Sequence, residues 1–194
     1  MIGTKRCFGL SLALFGAAGL SACNSLSMSD EPNAGPCPNA FALHDAARIV
    51  EFADPAAEED FENVAFTAEV QSVRSLCRYV GDNPIDADVF VEIGFGRGPA
   101  AEERSETYNM WVAVTRTDVA VLEKSYFPIT VRFGRNEDRV YREERIPNVI
   151  IPRAGESTSG SNFEILVGFE LTPEQLEFNR LGKRFTLDAA RQVD

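Results

Sequence analysis

From residue 64 onward the chain alternates with a period of two. Val64, Phe66, Ala68 and Val70 alternate with Ala65, Thr67, Glu69 and Gln71, the mark of a strand with one buried face. Apolar residues return at Val73, Leu76, Tyr79 and Val80, which carries this arm past a bulge to Cys77-Arg78-Tyr79. Gly81-Asp82-Asn83-Pro84 turns the chain. Val89, Val91, Ile93 and Phe95 then alternate with Asp88, Phe90, Glu92 and Gly94, and Gly96-Arg97-Gly98-Pro99 ends that strand. Residues 108–115 and 119–126 flank Arg116-Thr117-Asp118 as a hairpin. Phe127, Ile129, Val131 and Phe133 form a further alternating run, in which Pro128 marks an edge or a bulge. Residues 134–138 turn again. Residues 140–151 are charged first and apolar last, as in an edge strand or a twisted ribbon, and residues 154–162 read as a Gly/Ser/Thr loop.

Phe163, Ile165, Val167, Phe169 and Leu171 make the cleanest strand. It runs into a helix start with Thr172 as N-cap, Pro173 at N1 and Gln175 completing a capping box. Leu171 and Leu176 take the staple positions, and Gly182 suits the stop. Two stretches upstream differ. Residues 41–52 fit either a short helix through the alanines or a strand broken at Asp45. Residues 54–62, with five acids and a proline, read as a solvated loop. About seven short strands and one late helix predict an all-β, Ig-like or fibronectin-like antiparallel β-sandwich over residues 37–182. The helix is expected to close one open end, and residues 183–194 to form a loosely ordered tail.

The N-terminus is organised differently. Lys5-Arg6 precedes an apolar run from Cys7 to Ala22, a positive region followed by a hydrophobic one and a small-residue cleavage site. That run holds sixteen residues, three of them glycine and two serine, short of the ~20 apolar residues a span needs. Leu20-Ser21-Ala22-Cys23 resembles the lipobox of bacterial lipoproteins. The resemblance implies removal of residues 1–22 and acylation of Cys23, palmitate being one such acyl group. No twin arginine is present, so the general secretory route is expected. Asn24 stands where aspartate retains many lipoproteins at the inner membrane, which by the same resemblance favours the outer membrane, facing the periplasm. Residues 24–36 have linker composition, and thirteen extended residues reach roughly 40 Å.

Removing residues 1–22 from the 194-residue chain leaves 172, enough for one domain with a core, and takes the formal charge from −11 to −13, because Lys5 and Arg6 leave with no acid. Such a surface repels phosphate backbones, so nucleic acid is excluded as a partner. It also argues against peripheral binding to anionic lipid, so membrane attachment must be covalent. Of four cysteines, Cys7 leaves with the signal and Cys23 takes the lipid. Cys37 and Cys77 remain as a disulfide pair in an oxidising compartment, worth about 4 kcal/mol in the chain-entropy model. A metal site lacks partners, since His44 is the only histidine.

The remaining candidates for chemistry are weak. His44-Asp45 has no nucleophile elbow to complete a triad. Gly94-Phe95-Gly96-Arg97-Gly98-Pro99 resembles a phosphate loop only superficially and reads as a strand-ending turn. Asp82, Asn83, Asp86 and Asp88 miss the ligand spacing of a calcium loop. Trp111, Tyr108 and Phe90 fit core better than a ligand platform. No catalytic residue, metal ligand or cofactor is predicted.

Cys37-Pro38, Asp45-Ala46-Ala47-Arg48, Cys77-Arg78-Tyr79, Ala113-Val114-Thr115 and above all the ten-residue motif beginning Val167-Gly168-Phe169 and ending Glu174-Gln175-Leu176 resemble a group of small, uncharacterised lipoproteins of alphaproteobacteria. The likeness covers nearly the whole mature domain and implies location and a compact β domain, with no activity attached. The expected function is a non-enzymatic, lipid-anchored binding or assembly module that meets an envelope protein or glycan. The rivals are an envelope hydrolase acting through carboxylates and a carrier of a small ligand or metal.

Overall fold

The computed structural model describes residues 35–79, 81–117 and 119–185. The expected signal, Cys23 and the expected linker up to residue 34 lie outside them. Eight strands build two four-stranded sheets. The first takes β1 (Asn39–Ala42), β8 (Phe163–Phe169), β5 (Ser105–Arg116) and β6 (Ala120–Arg132), in that spatial order. The second takes β2 (Arg48–Phe52), β3 (Val64–Arg78), β4 (Ile85–Arg97) and β7 (Arg139–Ile151), also in spatial order. Every pairing is antiparallel except β1 with β8, where the first strand runs parallel to the last. The result is an all-β sandwich with one short C-terminal helix, α1 (Pro173–Arg180).

Alternation decides which face is inside. Phe66, Ala68 and Val70 of β3 and Val89, Val91, Ile93 and Phe95 of β4 meet Tyr108, Met110, Val112 and Val114 of β5 and Ile165, Val167 and Phe169 of β8 in one buried core. The rings of Phe95, Tyr108 and Phe169 follow one another at 5.5 and 5.9 Å between centroids. Trp111 and Ala113 lie in the opposite phase of β5 and pack with Ala46 on the outside of the first sheet.

Residues 41–52 form two strands around a 3-10 turn at His44–Ala46, the chain crossing here from one sheet to the other. Of the two readings of this stretch, the broken strand is the observed one. β3 continues to Arg78 through an irregularity between Val70 and Ser72, at the expected bulge. β6 runs unbroken from Ala120 to Arg132 where two runs were expected, and Pro128 is tolerated because β6 is an edge strand. β4 reaches Arg97, so Gly94 and Gly96 belong to the strand, not to a turn that ends it. Gly98 is the closing residue: a Cβ there would stand 2.1 Å from the Val64 carbonyl oxygen, so only glycine fits.

Two ties fasten the ends. Cys37 and Cys77 form the expected disulfide, with Cα atoms 5.6 Å apart. Beside it the Tyr79 hydroxyl donates to the Pro36 carbonyl at 2.7 Å and accepts from the Gly160 N–H at 2.7 Å. At the other end Thr172 and Gln175 complete the capping box of α1, and Gly182 at φ +72° closes it. The helix lies beside β2 and the crossing between the sheets, where Phe178 packs with Val50 and Val64. The Asn179 amide donates to the carbonyls of Asp45 and Arg48, both at 2.8 Å. Of the tail expected from residue 183, Phe185 packs on Phe52 and Phe178, and Arg184 pairs with Glu69; residues 186–194 lie outside the described residues.

Candidate functional site

On β4, Ile93 and Phe95 point into the core, so Gly94 and Gly96 take the outward phase near the strand's C-terminal end and add no side chain there. Neighbouring elements stand around this floor. Thr67 and Glu69 of β3 rise on one side with Gln71, and beyond them stand Arg48 of β2 and Arg184, which follows α1. Tyr141 and Arg139 of β7 stand on the other side, opposite Gly94 and Gly96 in register. A Cβ at residue 94 would come 3.0 Å from the Tyr141 ring, so the glycine lets the tyrosine lie across the strand. The resulting hollow measures about 260 Å³. That is below the ~300–1,000 Å³ of drug-sized sites, so one ring or small headgroup fills it.

Three arginines face one glutamate in this lining, against a chain whose formal charge is −11. Glu69 is held by Arg184 at 2.8 Å. Arg48 has no ion-pair partner among the described residues, and its Nε is buried without an acceptor. A buried polar nitrogen without an acceptor is costly, and such a group in a native fold calls for an explanation. Tyr141 is 66% exposed, an aromatic face open to solvent.

A second cleft, of about 470 Å³, lies between the end of β2, the loop at residues 55–59 and the start of α1. Its polar groups are engaged in the fold: Thr172 and Gln175 cap the helix, and Glu59 pairs with Lys183. Glu51 differs. In register with Phe66, it shares the inward phase of β2 with Ile49, near Glu106 and Tyr108 of β5. Burial first, and the Glu106 carboxylate second, push the Glu51 carboxyl up to about 7. Burial and the same two carboxylates push the Tyr108 phenol upward as well, and its hydroxyl donates to the Thr67 carbonyl at 3.3 Å.

The residues singled out in the sequence fall elsewhere. Cys23 lies outside the described residues. His44 and Asp45 sit on an exposed 3-10 turn, with Asp45 paired to Arg180. Asp86 and Asp88 pair with Arg78 and Arg145, and no group of three metal-ligating side chains occurs among the described residues. Tyr108 is core, Trp111 is buried with its indole N–H donating to the Phe169 carbonyl at 3.0 Å, and Phe90 lies outward under Arg74. Among the described residues no helix is long and apolar enough to cross a membrane.

The hollow escaped the sequence reading because its residues come from four strands and the segment after α1. One signal was present. Two glycines at i and i+2, in phase opposite to Ile93 and Phe95, announce a bare outer face. No family model, curated protein or solved structure matches this chain.

Proposed function

We propose that the protein is a lipid-anchored binding module of the bacterial envelope, tethered through Cys23 and presenting the outer face of its second sheet to a partner in the periplasm. The anchor rests on the lipobox resemblance. The binding role rests on one observation: a hollow in which Arg48 has no ion-pair partner among the described residues and keeps its Nε buried without an acceptor. Positioned donors around a small concave floor are equipped to hold a ligand.

The test is crosslinking in intact cells with a photoreactive residue in place of Tyr141, followed by mass spectrometry. A dominant envelope protein or cell-wall fragment captured at this position, and lost on Arg48→Gln, is the expected result. Capture that ignores Arg48 would remove the hollow from the account. The hydrolase reading draws on Glu51 alone, a carboxyl poised near neutrality in the second cleft. Release of reducing ends from cell-wall glycan by the wild-type chain, abolished by Glu51→Gln, would favour it instead.

A further inference from the structure

We infer that the outer face of the first sheet lies on the bilayer. Its partner is a zwitterionic lipid surface, and the second sheet is thereby turned toward the periplasm. The inference rests on the lipid-anchored reading and goes further by saying which face meets the lipid.

Register composes the face. Phe41 of β1, Leu166 of β8, Ala113 of β5 and Lys124 of β6 stand side by side across all four strands. In the next row the Trp111 ring lies over Gly168, where a Cβ would come 2.6 Å from it, and Tyr126 stands opposite Trp111. Leu43, whose N–H donates to the Val167 carbonyl at 2.9 Å, extends the outward phase of β1. Phe41 and Leu43 are 42% exposed and Tyr126 56%, so apolar surface is open at both edges of the sheet. Acids stay at the rim: Glu164 beside Asn39, and Glu170, which accepts from the Asn109 amide at 3.1 Å. Lys124 carries the charge within the rows. Its ammonium sits 4.3 Å from the centre of the Trp111 ring and 5.0 Å from that of Tyr126. From there a lysine reaches lipid phosphate while its stem stays on apolar surface.

The other broad face is built differently. Arg74 pairs with Glu143, Arg78 with Asp86 and Arg145 with Asp88, each pair joining two strands of the second sheet. Laying those pairs on lipid strips their water at a cost that their mutual attraction does not return. Covering the apolar rows of the first sheet is favourable instead.

The place where the chain enters supplies the occupant. Cys37 is bridged to Cys77, and the Pro36 carbonyl accepts from the Tyr79 hydroxyl. The chain arriving from Cys23 is therefore pinned just before β1, the edge strand that carries Phe41. Gly35 follows Cys23 by twelve residues, a reach of roughly 40 Å at most. So short a tether holds the domain at a high local concentration beside the bilayer, and a face too weak to bind lipid unaided becomes occupied. Charge selects the lipid. A chain carrying −11 is repelled by anionic headgroups, whereas a zwitterionic one offers an ammonium to the rim carboxylates and a phosphate to Lys124.

The experiment uses the full chain, purified in detergent and placed in vesicles of phosphatidylethanolamine and phosphatidylcholine. A thiol-reactive fluorophore is attached at Tyr126→Cys or, on the second sheet, at Tyr141→Cys, both exposed positions. Phosphatidylcholine brominated on its acyl chains quenches labels that reach the hydrocarbon boundary. The label at 126 should lose most of its emission, and the label at 141 should keep its own. Phe41→Glu combined with Leu43→Glu, at exposed positions, should restore emission at 126 while the protein stays with the vesicles. Emission at 126 that ignores bromine would overturn the inference, and so would stronger quenching at 141. Pyrene excimers at 126 without bromine quenching would assign the face to a second copy and overturn it likewise. Mass spectrometry separates the inference from the anchor. An acylated Cys23 with no quenching at 126 sinks the orientation alone; an unmodified Cys23 sinks both.

Discussion

Asn179 shows how much a single side chain can hold. It is 2% exposed, and its amide nitrogen serves two backbone carbonyls on either side of the crossing between the sheets. Asn179→Leu would leave both carbonyls buried without donors, at a cost of about 1–3 kcal/mol for a group left unsatisfied. The midpoint of urea unfolding should fall accordingly, and an unchanged midpoint would mean that water replaces the amide. Glu51 makes the opposite case. In the unfolded chain its carboxyl ionises near the ordinary 4.5, in the folded chain only near about 7, so between those values the folded state holds the extra proton. The stability tied to that proton is complete below the lower value and is lost as pH rises through the upper one. Glu51→Gln should therefore unfold at higher urea than the wild type at pH 8, with the gap closing at pH 5. A gap that stays constant with pH would mean that Glu51 titrates normally.

At the scale of elements, the fold depends on ties between pieces that local structure alone would leave apart. The Cys37–Cys77 bridge spans 40 residues and joins the segment before β1 to the end of β3, so it links the two sheets. Replacing both cysteines with alanine should lower stability by about 4 kcal/mol if the loop-entropy account holds. The Tyr79 hydroxyl gathers the same neighbourhood, bridging Pro36 and Gly160, and should retain native spectra in the double variant at low temperature. Denaturation in reducing and non-reducing buffers measures the difference. A shift under 1 kcal/mol, far below the entropic value, would show that these hydrogen bonds already restrict the unfolded loop. The second sheet carries the consequence for function. β2 and β7 are its edges, and side chains from β2, β3 and β7 stand around the glycines near the C-terminal end of β4.

For the molecule as a whole, the proposed tether dominates. Cys23→Ser removes the thiol that the lipobox requires, and the protein should move from the membrane pellet to the soluble periplasmic fraction. The strongly acidic surface offers no electrostatic hold on anionic lipid to replace the lost anchor. Membrane association that survives the substitution would point to a partner or to a second attachment. The disulfide and the sandwich should be unaffected, because the bridge joins Cys37 to Cys77 and uses no thiol from Cys23.

How much of this was legible in the chain follows from the range of the forces involved. The strands of the core, the bulge in β3, the edge or bulge marked by Pro128, the capping box of α1 and the cysteine pair were readable, because each is decided by neighbours within a few residues or by elimination among four cysteines. Residues 41–52 stayed open, since only the crossing between sheets makes a strand break at residues 43–47. The helix was visible but its seat was not, because Phe178 finds Val50 and Val64 through the fold. The hollow is the extreme case. Arg48, Glu69, Gly94, Tyr141 and Arg184 are spread over 137 positions of sequence and meet only through strand register, so no local pattern could assemble them. What the sequence by itself determined is the class of fold and its cross-link; the arrangement of charge around the glycines of β4 was decided by tertiary structure, because register is a long-range quantity.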